Sequence, residues 1–192
     1  MSIYQRLDYS RGLTKQSSKA KFKVLYNTSG TYLVSCVVRN APSRIKIDST
    51  TIKTSGIIAD HKAYFLDTND ENEAYFVAAM LNAPIVDSLI KPMQSRGQWG
   101  QRDIVKKVLE LPLPKFKANN KSHLELVTLA KLAEDKASKI IDKLEAKYSG
   151  IGKIRQLVKV EINEEVLNID KIVRELLEKE GSVPNGLDNF AR

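Results

Sequence analysis

The sequence predicts a mixed α+β fold, strand-rich in front and helical behind, and three observations carry that expectation. Between Phe22 and Leu66, short runs of β-branched and aromatic residues alternate with polar ones and are broken by turn residues. That is the period of half-buried strands. From Ser122 onward, apolar residues recur at steps of three and four, the period of a helix face. The charge divides at the same place. Residues 1–118 hold 18 Lys/Arg against 10 Asp/Glu, an excess of eight, whereas residues 119–192 hold 13 of each. Two parts are therefore expected, a basic one over residues 1–118 and a neutral helical one over residues 119–192.

Residues 4–21 have weak periodicity and read as an extended arm or edge element. KFKVLY alternates, Asn27-Thr28-Ser29-Gly30 is a turn cluster, and TYLVSCVV is a second strand. Cys36, the single cysteine, lies in that apolar run and is expected in the core. After the turn NAPSR, the run RIKIDSTTIKTSGIIA alternates, with Ile45, Ile47 and Ile52 pointing inward and Arg44, Lys46 and Lys53 on the opposite face. HKAYFL follows as another strand.

Asp70 and Glu73 resemble a capping box, so a helix should start near Glu71. Asn82-Ala83-Pro84 interrupts it, and Pro84 suits the first turn of a second helix that ends before Pro92. The Pro-x-Pro of LPLPKF marks an extended edge. Ser122 and Glu125 form a second box. Behind it Leu126, Ala130, Ala133, Ala137, Ile140 and Leu144 trace a heptad-like seam. That seam suits either a coiled coil or an amphipathic helix packed on its own chain. KIRQLVKV is ambiguous, and EEVLNIDKIVRELLEKEG is a helix with Val166, Ile169, Val173 and Leu176 on one face.

The polar chemistry concentrates in residues 91–116. Arg96, Gln98, Trp99, Gln101 and Arg102 crowd a loop with two glycines, and Arg and Gln make the paired hydrogen bonds that grip a base edge. Trp99 suits stacking on a base or anchoring in a core. Between Tyr9 and Ile47 there are eight basic residues and no acidic one, the footprint of a polyanion site. Lys21, Lys23, Arg39, Arg44, Lys46, Lys53 and Lys91 are the candidates for phosphate contacts.

Other chemistry is not legible. His61 and His123 are the only histidines, and neither sits in a metal-ligand spacing. No phosphate-cradling glycine loop and no carboxylate dyad is evident, so no catalytic residue is expected. The N-terminus lacks the apolar stretch of a signal peptide, and no apolar run approaches the roughly 18 residues of a membrane span. With a lone thiol, a cytoplasmic location without a membrane partner is expected.

The stretch NEAYFVAAMLNAPIVDSLIKPMQSRGQWGQRDI, then VLELPLPKF and a helix opening SHLELVTLAKLA, resembles the target-recognition portion of restriction–modification enzymes. More narrowly, it is similar to the TaqI-like C-terminal specificity domain of adenine-N-6 DNA methyltransferases, to which Type I specificity subunits are related. The resemblance covers about residues 21–144. It implies a domain that reads double-stranded DNA in the major groove, spaced by coiled-coil-like helices from a catalytic methyltransferase domain or subunit. The Asn-Pro-Pro-aromatic tetrapeptide of such catalytic domains is missing, since NAPS and NAPI do not match it. The resemblance therefore implies a recognition module whose S-adenosylmethionine is bound by a partner. The alternative from another class is a scaffold subunit that assembles, as a dimer or on a partner, through its C-terminal helices without binding DNA.

Overall fold

The structure is a computed structural model. It describes residues 12–16, 19–60, 62–97, 100–101, 103–104, 106–148 and 150–179, with the backbone alone at residues 96, 97, 100 and 101. The fold is mixed α+β. Strands β1 (Phe22–Asn27), β2 (Ser35–Arg39) and β5 (Ala63–Thr68) form an antiparallel sheet in the order β2-β1-β5. Between β2 and β5 the chain leaves to make a separate two-stranded ribbon, β3 (Ser43–Ile47) and β4 (Thr50–Thr54). Helix α1 (Glu71–Asn82) lies on the sheet, and α2 (Pro84–Ile90) follows it. A short 3-10 turn (Lys91–Met93) leads to a minimal hairpin, β6 (Arg96–Gly97) and β7 (Gly100–Gln101). Three helices complete the chain: α3 (Lys121–Lys147), α4 (Ile151–Glu161) and α5 (Asn163–Lys179).

The two faces of the sheet are built differently, because successive side chains of a strand point in opposite directions. On the inner face Val24 and Tyr26 of β1 pack with Val37 and Tyr64 against α1. On the outer face Lys23 is wholly buried, its ammonium 2.7 Å from Asp67 and 4.4 Å from the centre of the Phe65 ring. Cys36, expected in the core, is exposed instead, because it falls on the outer face of the edge strand β2. Partial desolvation there, and then the Glu134 carboxylate, raise its pKa.

Helix α1 starts where the capping signal places it, but the box is opened. Asp70 accepts the N–H groups of Asn72 (2.8 Å) and Glu73 (3.4 Å). Glu73 takes the Thr68 hydroxyl, whose oxygen accepts the Asp70 N–H at 3.1 Å, so Thr68 relays the second arm. The chain bends by 61° at Ala83. There α2 has no cap of its own. Asp170 of α5 supplies one, accepting the Ile85 N–H at 2.6 Å, where a carboxylate also meets the positive end of the helix.

Helix α3 begins at Asn120, which caps it by accepting from Ser122 (2.9 Å) and His123 (3.3 Å), rather than at the predicted Ser122. His123 turns inward, stacks on Phe76 at 4.4 Å and accepts the Lys117 N–H on Nδ1. Burial, and then the charge of Lys117, lower its pKa. Of the predicted seam, Leu126 is buried and Ala130, Ala133, Ala137, Ile140 and Leu144 are half-buried; α3 packs on α1, α4 and α5 of its own chain. Lys136 of α3 meets the buried Glu165 of α5 at 2.6 Å. One hydrophobic cluster joins Val24 of the sheet and Phe76 of α1 to Leu126 of α3 and to Ile169, Val173 and Leu177 of α5. The LPLPKF segment forms no strand. It lays Leu111, Leu113 and Phe116 against that cluster, and a 3-10 turn (Lys107–Glu110) precedes it.

Candidate nucleic-acid interface

The β3–β4 ribbon is the part of the chain that buries least. It pairs Arg44 with Lys53, Ile45 with Ile52, Lys46 with Thr51 and Ile47 with Thr50. Directly opposed residues share a face. Arg44, Lys46, Thr51 and Lys53 therefore make one face, and the isoleucines with Ser43, Thr50 and Thr54 make the other. The inward orientation expected for the isoleucines is not found. Ile45, Ile47 and Ile52 are 48%, 53% and 45% exposed, because the ribbon is a sheet of its own and not a continuation of β2-β1-β5. The two-residue turn Asp48-Ser49, read in the sequence as part of one alternating run, puts Asp48 at φ +51°, a conformation Asp tolerates better than most residues.

The root of the ribbon is fixed. Asn40 is buried, its carboxamide donating to the Ala20 carbonyl (2.9 Å) and accepting the Ile57 N–H (2.8 Å). Its backbone N–H donates to the Lys21 carbonyl. A Cβ on Gly56 would lie 2.5 Å from Asn40 Oδ1, so glycine there permits the close approach. Asn-Ala-Pro at one end and Ser-Gly at the other mark this root in the sequence as turns, but not as a clamp.

The predicted phosphate contacts separate into groups. Arg44, Lys46 and Lys53 are exposed on one ribbon face, and Lys21 is exposed beside its root. The Arg39 side chain is 78% exposed and pairs with Glu71 at 3.0 Å. Glu71 is shared with Lys131, whose hydrogen bond is the main reason its carboxyl lies below its ordinary pKa. Lys23 drops out: a buried ammonium ion-paired under the sheet faces no polyanion. Lys91 is engaged too, paired with Asp87 at 3.4 Å, donating to the Thr31 carbonyl and lying over the Tyr32 ring.

Of the predicted base-reading residues, Arg96 and Gln101 are backbone partners in β6–β7. Gln98, Trp99 and Arg102, with His61, lie outside the described residues. After β7 the chain returns to the far end of β1, where Ile104 N–H donates to the Thr28 carbonyl and Ser29 bridges Asp103. The ribbon is rooted at Lys21 and the β6–β7 hairpin beside Thr28, at opposite ends of β1. Seven residues of strand span roughly 24 Å, about the rise of seven base pairs of duplex at ~3.4 Å each.

Just ahead of β6, Gln94 is 5% exposed and neither Nε2 nor Oε1 has a hydrogen-bond partner. Nothing in its sequence neighbourhood, Lys-Pro-Met-Gln-Ser, signals burial. Among the described residues no three His, Cys, Asp or Glu side chains come together in a way that could hold a metal ion, and no single helix is long and apolar enough to cross a membrane. No family model, no curated protein and no solved structure matches the chain.

Proposed function

We propose that this chain is a sequence-specific recognition module for double-stranded DNA, serving an adenine-specific DNA methyltransferase of a restriction–modification system. In this reading the catalytic domain and its S-adenosylmethionine reside on a partner. The observation that carries it is the β3–β4 ribbon, a two-stranded element rooted by Asn40 with Arg44, Lys46 and Lys53 exposed on one face. The major groove admits a two-stranded ribbon, and cations beside it meet phosphates. Phosphate contacts give affinity and register, while Arg96, Gln98, Gln101 and Arg102, with Trp99 for stacking, are the proposed readers of base edges. The resemblance of residues 21–144 supplies the methyltransferase context, and the charge excess of residues 1–118 supports a polyanion as ligand.

The test is duplex binding across a salt series. The wild-type chain should prefer one short duplex from a randomised pool. The combined Arg44→Ala, Lys46→Ala, Lys53→Ala variant should flatten the salt dependence of log K by about 2–3 while keeping the preferred duplex. Equal affinity for scrambled duplexes would remove the specificity, and an unchanged salt slope would remove the ribbon. The scaffold reading has one observation of its own in Ile151, Val160 and Leu167, which are 60%, 70% and 59% exposed on α4 and α5. Assembly through those helices with no DNA affinity would favour it.

A further inference from the structure

Carboxamides are this fold's means of holding backbone. Asn82 accepts the Ser35 N–H and donates to the Ser35 carbonyl, both at 2.9 Å. Gln16 holds the N–H and carbonyl of Ala59 in the same two-way manner. Asn40 bridges Ala20 and Ile57 at the ribbon root. Each takes one donor and one acceptor, the pair that a carboxamide presents in one plane.

Gln94 presents that pair and fills neither half. It sits at the end of the Lys91–Met93 turn, two residues before Arg96 opens the β6–β7 hairpin. A buried polar group without a partner forfeits the hydrogen bonds it would make to water in the unfolded chain. Such a group in a native protein calls for an explanation in function. A base edge offers a donor and an acceptor too, but the Gln94 carboxamide is enclosed. Protein backbone is the partner within its surroundings.

We propose that Gln94 is a positioning residue: when the β6–β7 hairpin engages duplex DNA, the Gln94 carboxamide takes an N–H and a carbonyl of that hairpin's backbone and holds the reading residues in register. The inference rests on the DNA-recognition reading above and adds to it a cause for ordering the hairpin. The free chain keeps the carboxamide unfilled, so the hydrogen bonds appear only with DNA and favour the bound arrangement.

Gln94→Met and Gln94→Leu, close in volume and without the polar pair, test it in the full chain. Probes are the duplex selected by the wild-type chain from a randomised pool and a scrambled duplex of the same composition. Both variants should raise the thermal midpoint of the free chain by a few degrees and reduce its preference for the selected duplex about tenfold, with the salt slope unchanged. A purely structural residue would not raise stability while lowering discrimination. A lowered midpoint in both variants would show that the carboxamide is already satisfied, and overturns the proposal. A wild-type preference that survives in both variants removes this inference alone. A wild-type chain with no duplex preference removes the DNA reading and this inference with it.

Discussion

The three-stranded sheet and the β3–β4 ribbon are written in similar residues and come to opposite ends. In the sheet Val24 is wholly buried and even Lys23 is lost from the surface, because α1 covers one side and Phe65 and Asp67 close over part of the other. In the ribbon three isoleucines at the same kind of alternating position stand about half exposed. Alternation fixes which residues share a face; whether that face is covered depends on what the rest of the chain brings to it. A two-stranded hairpin alone is marginal in water, so this ribbon relies on its root. The sheet is held by its middle and the ribbon by its base.

The sharpest way to test that contrast is to damage the middle. Phe76→Ala removes a ring that stacks on His123 at 4.4 Å and lies 5.5 Å from Phe116. It should cost about 3–5 kcal/mol, measured as a lowered urea midpoint. A loss under ~1 kcal/mol would mean that this cluster is not the support of the sheet.

Damage to the base should be smaller and local. Gly56→Ala places a methyl 2.5 Å from Asn40 Oδ1 and pushes the carboxamide off Ala20 and Ile57. We expect a loss of about 1–3 kcal/mol and faster amide exchange in residues 43–54, with the exchange of β1 little changed. Uniform acceleration through both sheets would erase the distinction between them.

The covered region should also respond to pH where the ribbon does not. His123 has its pKa lowered in the folded chain by burial and by Lys117. The unfolded chain therefore takes up the proton first as pH falls below about 6.5, and stability declines from there toward the folded pKa. Glu165, lowered mainly by its hydrogen bond to Lys136, adds a further decline below the ordinary carboxylate range. Urea midpoints measured down the pH scale should fall in two stages, and His123→Gln should remove the first. A flat profile down to pH 5 would contradict the burial of a neutral imidazole.

The smallest effect belongs to the ribbon's apolar face. Ile45→Thr and Ile52→Thr should each change stability by no more than ~0.5 kcal/mol, because neither side chain leaves water on folding to the extent that Val24 does. A clear loss would mean that the face is covered.

Element types were largely legible in the sequence wherever the signal was local. Asp70 starts α1, Pro84 opens α2, and the apolar stripe of α5 points inward with Ile169, Val173 and Leu176 buried. What was not legible depended on partners distant in the chain. Lys23 reads as a surface lysine until Asp67 is placed beside it, and Cys36 reads as core until β2 becomes an edge. Asn120 and Ser122 both offer a capping side chain, and the turn of Lys117 onto His123 accompanies the earlier start. Of the candidate interface, composition singled out Arg44, Lys46 and Lys53 and put them on one face, as the strand period requires. Gln94 carried no signal, because burial of a carboxamide is decided by what packs around it.

The Asp170 carboxylate that finishes α2 stands 85 positions downstream of the N–H it receives. Synthesis at ~5–20 residues per second leaves that helix end waiting about 4–17 s after its own residues are joined. During that interval the nascent front portion has its ribbon and its basic face but not its last latch. A chain interrupted before α5 would then carry the charges of the interface on a scaffold that had not yet closed.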